Sequence, residues 1–193
     1  MMGTEFELKF LAEEGVFEAL KQESHCWTSY QMATTYYDTA DGKLSRLRWT
    51  LRRRFENGRS VCTLKTPAGK QERHEFEVEC GDIVTAIPLL CAMDAPADLL
   101  DYTADGVVEV CGARFHRWAG QVHLGDTHVE LALDKGVLLG ADKELPFVEV
   151  EVELKAGDPQ VAVAYARALA QRFQLRPESQ SKYKRALTLA GRA

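Results

Sequence analysis

The chain begins its regular structure with Glu5-Phe6-Glu7-Leu8-Lys9-Phe10, where charged and apolar residues alternate without a break. Side chains of a β-strand point to opposite faces with period two. Glu5, Glu7 and Lys9 therefore share one face, and Phe6, Leu8 and Phe10 share the other. Two adjacent carboxylates repel, and one lysine does not cancel both. Such a face is either washed by water or meant for cations. The pattern returns in Glu149-Val150-Glu151-Val152-Glu153-Leu154-Lys155. Between these acidic segments lies one of opposite sign. From Leu47 to Phe55, Leu47, Trp49 and Leu51 fall on one face, and Arg46, Arg48, Arg52 and Arg54 on the other. A fold for this chain has to satisfy amphipathic strands of both charges.

The length of 193 residues, 46% hydrophobic and 27% charged, suits one domain spanning 1–193. A net charge of −5 gives no support to a nucleic-acid partner. No apolar run reaches the roughly 18 residues of a membrane span, and no basic segment followed by an apolar stretch opens the chain. Five scattered cysteines, odd in number and without a C-x-x-C pair, fit a reduced, cytoplasmic protein. The histidines show no zinc spacing; His116 and His123 read as rim or surface residues.

The elements follow from periodicity and punctuation. Ala12 to Glu23, Asp82 to Met93, and a segment opened by Asp158-Pro159 read as helices; Ser179 or Ser181 caps a last one. Thr34 to Tyr37, Ser60 to Thr66 and Arg73 to Glu79 read as strands, with Asn57-Gly58 a hairpin turn and Pro67 to Lys70 a second turn. Gly106 to Trp118 is strand-like with an interruption at Gly112. Val122 to Leu124, Thr127 to Asp134 and Gly136 to Leu139 are short strands, with Gly125-Asp126 and Lys135-Gly136 as turns; Phe147 to Lys155 is the last strand. The count is about seven to nine strands, mostly in antiparallel hairpins, and three or four helices.

The polar faces are rich in charge, and the signs segregate by strand. Glu5/Glu7, Glu130/Asp134 and Glu149/Glu151/Glu153 are acidic; Arg46/Arg48/Arg52/Arg54 and Lys65 are basic. Amphipathic helices are available to cover the apolar faces, so the charged faces can turn inward. Unpaired charge buried there would be prohibitive. The lumen of such a barrel is either water-filled or loaded with a highly charged ligand. Arginine and lysine rows suit phosphate oxygens, and carboxylate clusters suit hard cations such as Mg²⁺ or Mn²⁺. A metal-bound polyphosphate uses both, and nucleotides belong to the same class.

An ordered series of motifs resembles the CYTH superfamily, the triphosphate tunnel metalloenzymes. Glu5-x-Glu7-x-Lys9 is similar to its opening signature, Tyr36-Tyr37-Asp38-Thr39 to its Y-Y-D-T segment, and Leu51-Arg52-Arg53-Arg54 to its L-R-x-R strand. Thr63-Leu64-Lys65 and Arg73-His74-Glu75 resemble the T-L-K and R-x-E strands. Glu130 to Gly136 resembles the E-x-x-x-D-x-G hairpin, Glu149 to Glu153 the E-x-E-x-E strand, and Ser181-Lys182 with Arg185 the S-K-x-x-R ending.

The resemblance implies an α+β, mainly β fold: a closed eight-stranded antiparallel tunnel with helices packed outside. It implies metal ligands at Glu5, Glu7, Asp134, Glu149 and Glu151. Lys9, Arg52, Arg54, Lys65, Arg117 and Lys182 would line the opposite wall and grip phosphates, joined by Arg185; Arg73 would bind phosphate or pair with Glu75. One of Glu149, Glu151 or Glu153 would orient water, and Lys9 belongs with these catalytic residues. The expected activity is hydrolysis of inorganic triphosphate or short polyphosphate with Mg²⁺ or Mn²⁺. Thiamine triphosphatase, class IV adenylyl cyclase and a non-catalytic polyphosphate- or nucleotide-binding module are the alternatives. The expected partner is a small-molecule triphosphate, with neither nucleic acid nor membrane. Exposed strand edges could support a homodimer.

Overall fold

A computed structural model describes residues 3–4, 6–23, 26–68 and 73–192. Glu5, the first expected metal ligand, lies outside the described residues, as do Gly69 and Lys70 of the expected second turn. Ten strands and six helices form among the described residues. The strands are β1 (Gly3–Thr4), β2 (Glu7–Leu11), β3 (Thr28–Asp38), β4 (Thr50–Glu56), β5 (Arg59–Pro67), β6 (Arg73–Glu79), β7 (Val108–Leu124), β8 (Thr127–Gly140), β9 (Lys143–Ala156) and β10 (Arg176–Pro177). The helices are α1 (Glu14–Lys21), α2 (Lys43–Arg46), α3 (Ile83–Ala92), α4 (Asp98–Tyr102), α5 (Pro159–Phe173) and α6 (Lys182–Leu189). The protein is α+β and mainly β, with one antiparallel sheet in the order β1-β6-β5-β4-β3-β7-β8-β9-β2-β10.

Eight of the strands are five residues or longer, and β1 and β10 are two-residue additions. The hydrogen-bonded ladder does not run full circle among the described residues, so the expected closed barrel is not what the pairing traces. Instead the N-terminal segment is shared between the two halves. Gly3 and Thr4 pair with Glu75 and His74 of β6, while Glu7 to Leu11 pair with Glu153 to Glu149 of β9. β1 thus lies at one end of the ladder and β2 near the other.

The apolar strand faces pack under helices as the alternation requires. Phe10, Val150, Val152, Leu131 and Leu133 meet Phe17 and Leu20 of α1 and Ala162, Ala166 and Leu169 of α5. Leu51, Leu64 and Phe76 meet Ile83, Ala86, Ile87 and Leu90 of α3 and Leu99 of α4. Each such Leu, Ile or Phe contributes about 1.5–3 kcal/mol on burial. Asp158 caps α5 by accepting a hydrogen bond from Gln160 N at 2.8 Å, and Ser181, not Ser179, caps α6.

One helix departs from the expected outer layer. The apolar side of α6 packs on the charged face of the sheet, with Ala186 and Leu189 against Ala113, Leu138 and Phe147. Tyr183 and Leu187 meet Tyr36 and Val110. Gly140 makes room for it: a Cβ there would lie 2.5 Å from Ala190 N and 2.7 Å from Ala186 O.

Two expected breaks are also absent. Gly112 and Lys135-Gly136 lie within the continuous strands β7 and β8, opposite Leu139 and Phe115/His116. Gly136 serves close approach instead of a turn, because a Cβ would sit 2.1 Å from Arg114 O. Likewise β4 starts only at Thr50: Arg46 ends the one-turn helix α2, and Arg48 occupies a left-handed turn conformation, φ 60°. Neither joins the arginine row.

Candidate active site

Register assembles the site. Lys9 lies opposite Glu151, Glu7 opposite Glu153, and Asp134 between Glu149 on β9 and Arg117 on β7. Across the sheet, Tyr36 links this group to Arg52, which lies opposite Thr63, while Lys65 lies opposite Glu75. All these side chains share one face, opposite to α1–α5. Its centre is deeply buried: Asp134 and Glu149 have no exposed surface, and Glu151 has 7%.

Asp134, Glu149 and Glu151 each offer a carboxylate oxygen, with the three oxygens within 4.8 Å of one another. Such a trio needs cations, and α6 delivers one. Lys182 Nζ lies 2.8 Å from Asp134 Oδ2, 2.5 Å from Glu149 Oε2 and 2.6 Å from Glu151 Oε1. Arg117 forks onto Asp134 with two bonds of 2.7 Å and donates to Glu151 Oε2 at 2.5 Å. Arg185 donates to Glu149 Oε1. Three carboxylates thus meet three cations, and the cluster is formally neutral by itself. Arg117 and Lys182 were expected on the wall facing the carboxylates. Register and the placement of α6 put them among the carboxylates instead.

The protonation equilibria follow from this packing. Burial works against the Glu151 carboxylate, yet Lys182, Arg117 and Lys9 outweigh it and hold its pKa well below the usual range. Burial likewise opposes the charges of Arg117 and Lys182, and Asp134 and Glu151 raise both above their ordinary values. Arg185 is shifted down by burial.

The second wall is cationic with interleaved carboxylates. Lys65 Nζ and Arg52 Nη2 approach Glu75 Oε1 at 3.1 and 3.3 Å. Thr63 donates to Glu77 at 2.9 Å, and Arg73 donates to Thr50 Oγ1 at 3.2 Å and to Arg48 O at 3.0 Å. Arg54 Nε is buried 3.2 Å from Glu56 Oε2 but is not aligned for a hydrogen bond. Burial first, and the neighbouring Arg52 second, lower its pKa. That environment favours an added anion.

Glu7 and Lys9 form a 3.4 Å pair, and Glu153 pairs with Lys155 at 2.7 Å toward one end of the same face. The sequence reading missed two tyrosines. Burial raises the pKa of the Tyr36 hydroxyl, and the charges of Arg52 and Lys182 oppose that shift. Tyr183 packs on Tyr36 at 4.9 Å and contacts Ser45 Oγ at 2.6 Å. Ser45 in turn donates to buried Asp38, which also accepts from Leu44 N at 2.9 Å and Ser45 N at 3.1 Å. Tyr-Tyr-Asp-Thr was legible as a motif, but its link to α6 depends on contacts across 138 residues.

The fold and site define an antiparallel β protein whose inward face gathers buried carboxylates beside basic side chains. The chain belongs to the CYTH domain family, whose model matches residues 3–187. An inorganic triphosphatase of Haemophilus influenzae is 26% identical over 165 residues, covering 83% of this chain and 46% of that protein. The chain therefore spans about half the length of that relative. Among solved structures, a candidate adenylate cyclase of Bacillus halodurans has a TM-score of 0.67 and 16% identity, covering 95% of this chain and 97% of the other. A candidate adenylyl cyclase of Hippeastrum with dominant triphosphatase activity has a TM-score of 0.66 and 20% identity, covering 100% and 97%. These structural likenesses establish the fold. No helix among the described residues is long and apolar enough to cross a membrane.

Proposed function

We propose that this protein is a divalent-metal-dependent hydrolase of inorganic triphosphate or short polyphosphate, acting on the inward face of its tunnel-like sheet. One observation carries the reading: a buried carboxylate trio shares that face with Arg52, Arg54, Lys65 and Arg73. A simple anion-binding module needs the cations but not the trio.

The trio fits a hard cation. All its donors are carboxylate oxygens, and the Lys182 ammonium already occupies the space between them as a monovalent stand-in. Asp134, Glu149 and Glu151 would hold Mg²⁺ or Mn²⁺, with Glu7 and Glu5 as further ligands. The bound ion supplies charge neutralisation at phosphate oxygens and a lower pKa for attached water.

The protein's own groups do the positioning. Phosphoryl transfer through a loose transition state depends on placement and neutralisation of charge more than on covalent chemistry. Arg52, Arg54, Lys65 and Arg73 bind the triphosphate oxygens, with arginine forks suited to two oxygens at once. Lys9, opposite Glu151, stabilises negative charge nearest the carboxylates. Lys182 and Arg185 would be available to bind phosphate if a cation took their place among the carboxylates. One of Glu149, Glu151 or Glu153 would orient the attacking water. The products are pyrophosphate and phosphate.

Candidate cyclases share the fold, so the test includes their reaction. Purified protein is given tripolyphosphate, thiamine triphosphate or ATP with Mg²⁺ or Mn²⁺, and phosphate and cyclic AMP are both measured. Tripolyphosphate is expected to be the best substrate. Failure to turn over any of the three overturns the enzyme reading, and cyclic AMP as main product replaces hydrolase with cyclase.

A further inference from the structure

A second cluster of ligating side chains lies at the tip of the β7–β8 hairpin. These strands are joined through Gly125 and Asp126, with Leu124 opposite Thr127 as the last pair and His123 opposite His128 as the next. His123 Nδ1 and His128 Nε2 are 2.7 Å apart, with ring centroids 3.9 Å apart and planes at 78°. A hydrogen bond between two ring nitrogens has one of them present a lone pair to the other. Neutral imidazole nitrogen is a ligand for borderline transition metals, and two such nitrogens converge here from adjacent strands.

We propose that His123 and His128 form a site for a divalent transition metal of the zinc, nickel or copper class, distinct from the carboxylate trio. The metal replaces the proton shared by the two nitrogens. Zinc–nitrogen bonds of about 2.0–2.1 Å at a tetrahedral angle separate two ligand nitrogens by ~3.3 Å. The rings reach that spacing by opening about 0.6 Å, and both side chains are exposed. The two-residue turn and the long ladder behind it hold the backbones in place, so little ordering is left for binding to impose. Water completes the coordination.

The surroundings favour a cation and keep this site separate. Two residues inward on the same face lie Gln121 and Glu130, bonded at 3.0 Å, with Glu153 opposite Glu130. Lys155 offsets part of that charge, at 3.7 Å from Glu130 and 2.7 Å from Glu153. A four-residue step along β8 leads from His128 to Ala132, the partner of Glu151, a span of about 13 Å. The carboxylate trio therefore lies deep on the face and the imidazole pair at its end, so hard cations suit the first and borderline metals the second. Metal at the histidines would pin the hairpin tip.

The test uses the full chain, stripped with EDTA and dialysed, then titrated with Ni²⁺ or Zn²⁺ in excess Mg²⁺ that keeps the carboxylates occupied. Calorimetry is expected to give one site per chain, weakened by about tenfold or more in His123→Gln and in His128→Gln. Metal-free melting temperatures show that both variants are folded. With Cu²⁺, electron paramagnetic resonance is expected to report two nitrogen ligands in the wild type and one in each variant. Unchanged affinity in both variants, an oxygen-only copper spectrum, or no binding in excess Mg²⁺ overturns the proposal.

Discussion

Lys182 is the residue on which the candidate site turns, because it touches all three buried carboxylates. Removing one partner of a buried ionic cluster strands the others and costs about 3–5 kcal/mol. Lys182→Met is therefore expected to melt lower than wild type in EDTA. Mn²⁺ should then raise its melting temperature more than that of wild type, since the cation no longer competes with an ammonium. Equal gains would remove the trio as the metal site. The pH dependence has a definite sign. The depressed pKa of Glu151 gives stability that is complete above its unfolded value of about 4.3 and is lost as pH falls below it. The raised values of Arg117 and Lys182 give stability that is complete below the unfolded lysine value of about 10.4 and is lost only as pH rises past their folded values. The Glu151, Arg117 and Lys182 contributions are thus all present from about pH 5 to 10. Denaturant titrations should show wild-type stability falling more steeply than that of Glu151→Gln below about pH 4.5.

At the scale of elements, α6 sets the shape of the site. It carries Lys182 and Arg185 onto the carboxylates and is tied back to α2 through Tyr183, Ser45 and Asp38. Burial drives the Tyr183 hydroxyl pKa up to about 12, so it stays protonated and able to hydrogen-bond at neutral pH. Gly140 lets the backbone of α6 lie directly on β8. Gly140→Ala overpacks that contact, at a cost of about 1–3 kcal/mol. Hydrogen exchange should rise across residues 182–189 while β8 and β9 remain protected. Exchange that rises uniformly would show that α6 is not a separable unit.

At the scale of the whole molecule, cation balance separates folding from the proposed catalysis. The trio has Arg117, Lys182 and Arg185 as partners, and the apolar faces are covered by α1 to α5 independently of any ion. EDTA is therefore expected to abolish triphosphate hydrolysis while leaving far-ultraviolet circular dichroism unchanged. Loss of the sheet signal on chelation would mean that metal is part of the core.

Alternation by itself determined which residues share a face. Within each strand it set Glu7 with Lys9, Arg52 with Arg54, and Glu149 with Glu151 on one face, because the pleat repeats every two residues whatever the neighbours are. It could not choose partners, since strand pairing joins residues far apart in sequence. Arg117 entered the phosphate-gripping set through the family resemblance, and only register shows that it lies opposite Asp134. Gly136 suggested a turn until the close approach of β7 showed what its missing side chain is for. The five-residue step from His123 to His128 matched no metal spacing until a hairpin folded it into a direct pair. The final helix read as an outer element until its apolar stripe found Phe147 and Leu138 on the inner face. Local pattern thus set the chemistry of each face, and the tertiary structure decided which charges meet, because only long-range packing brings distant strands to one point.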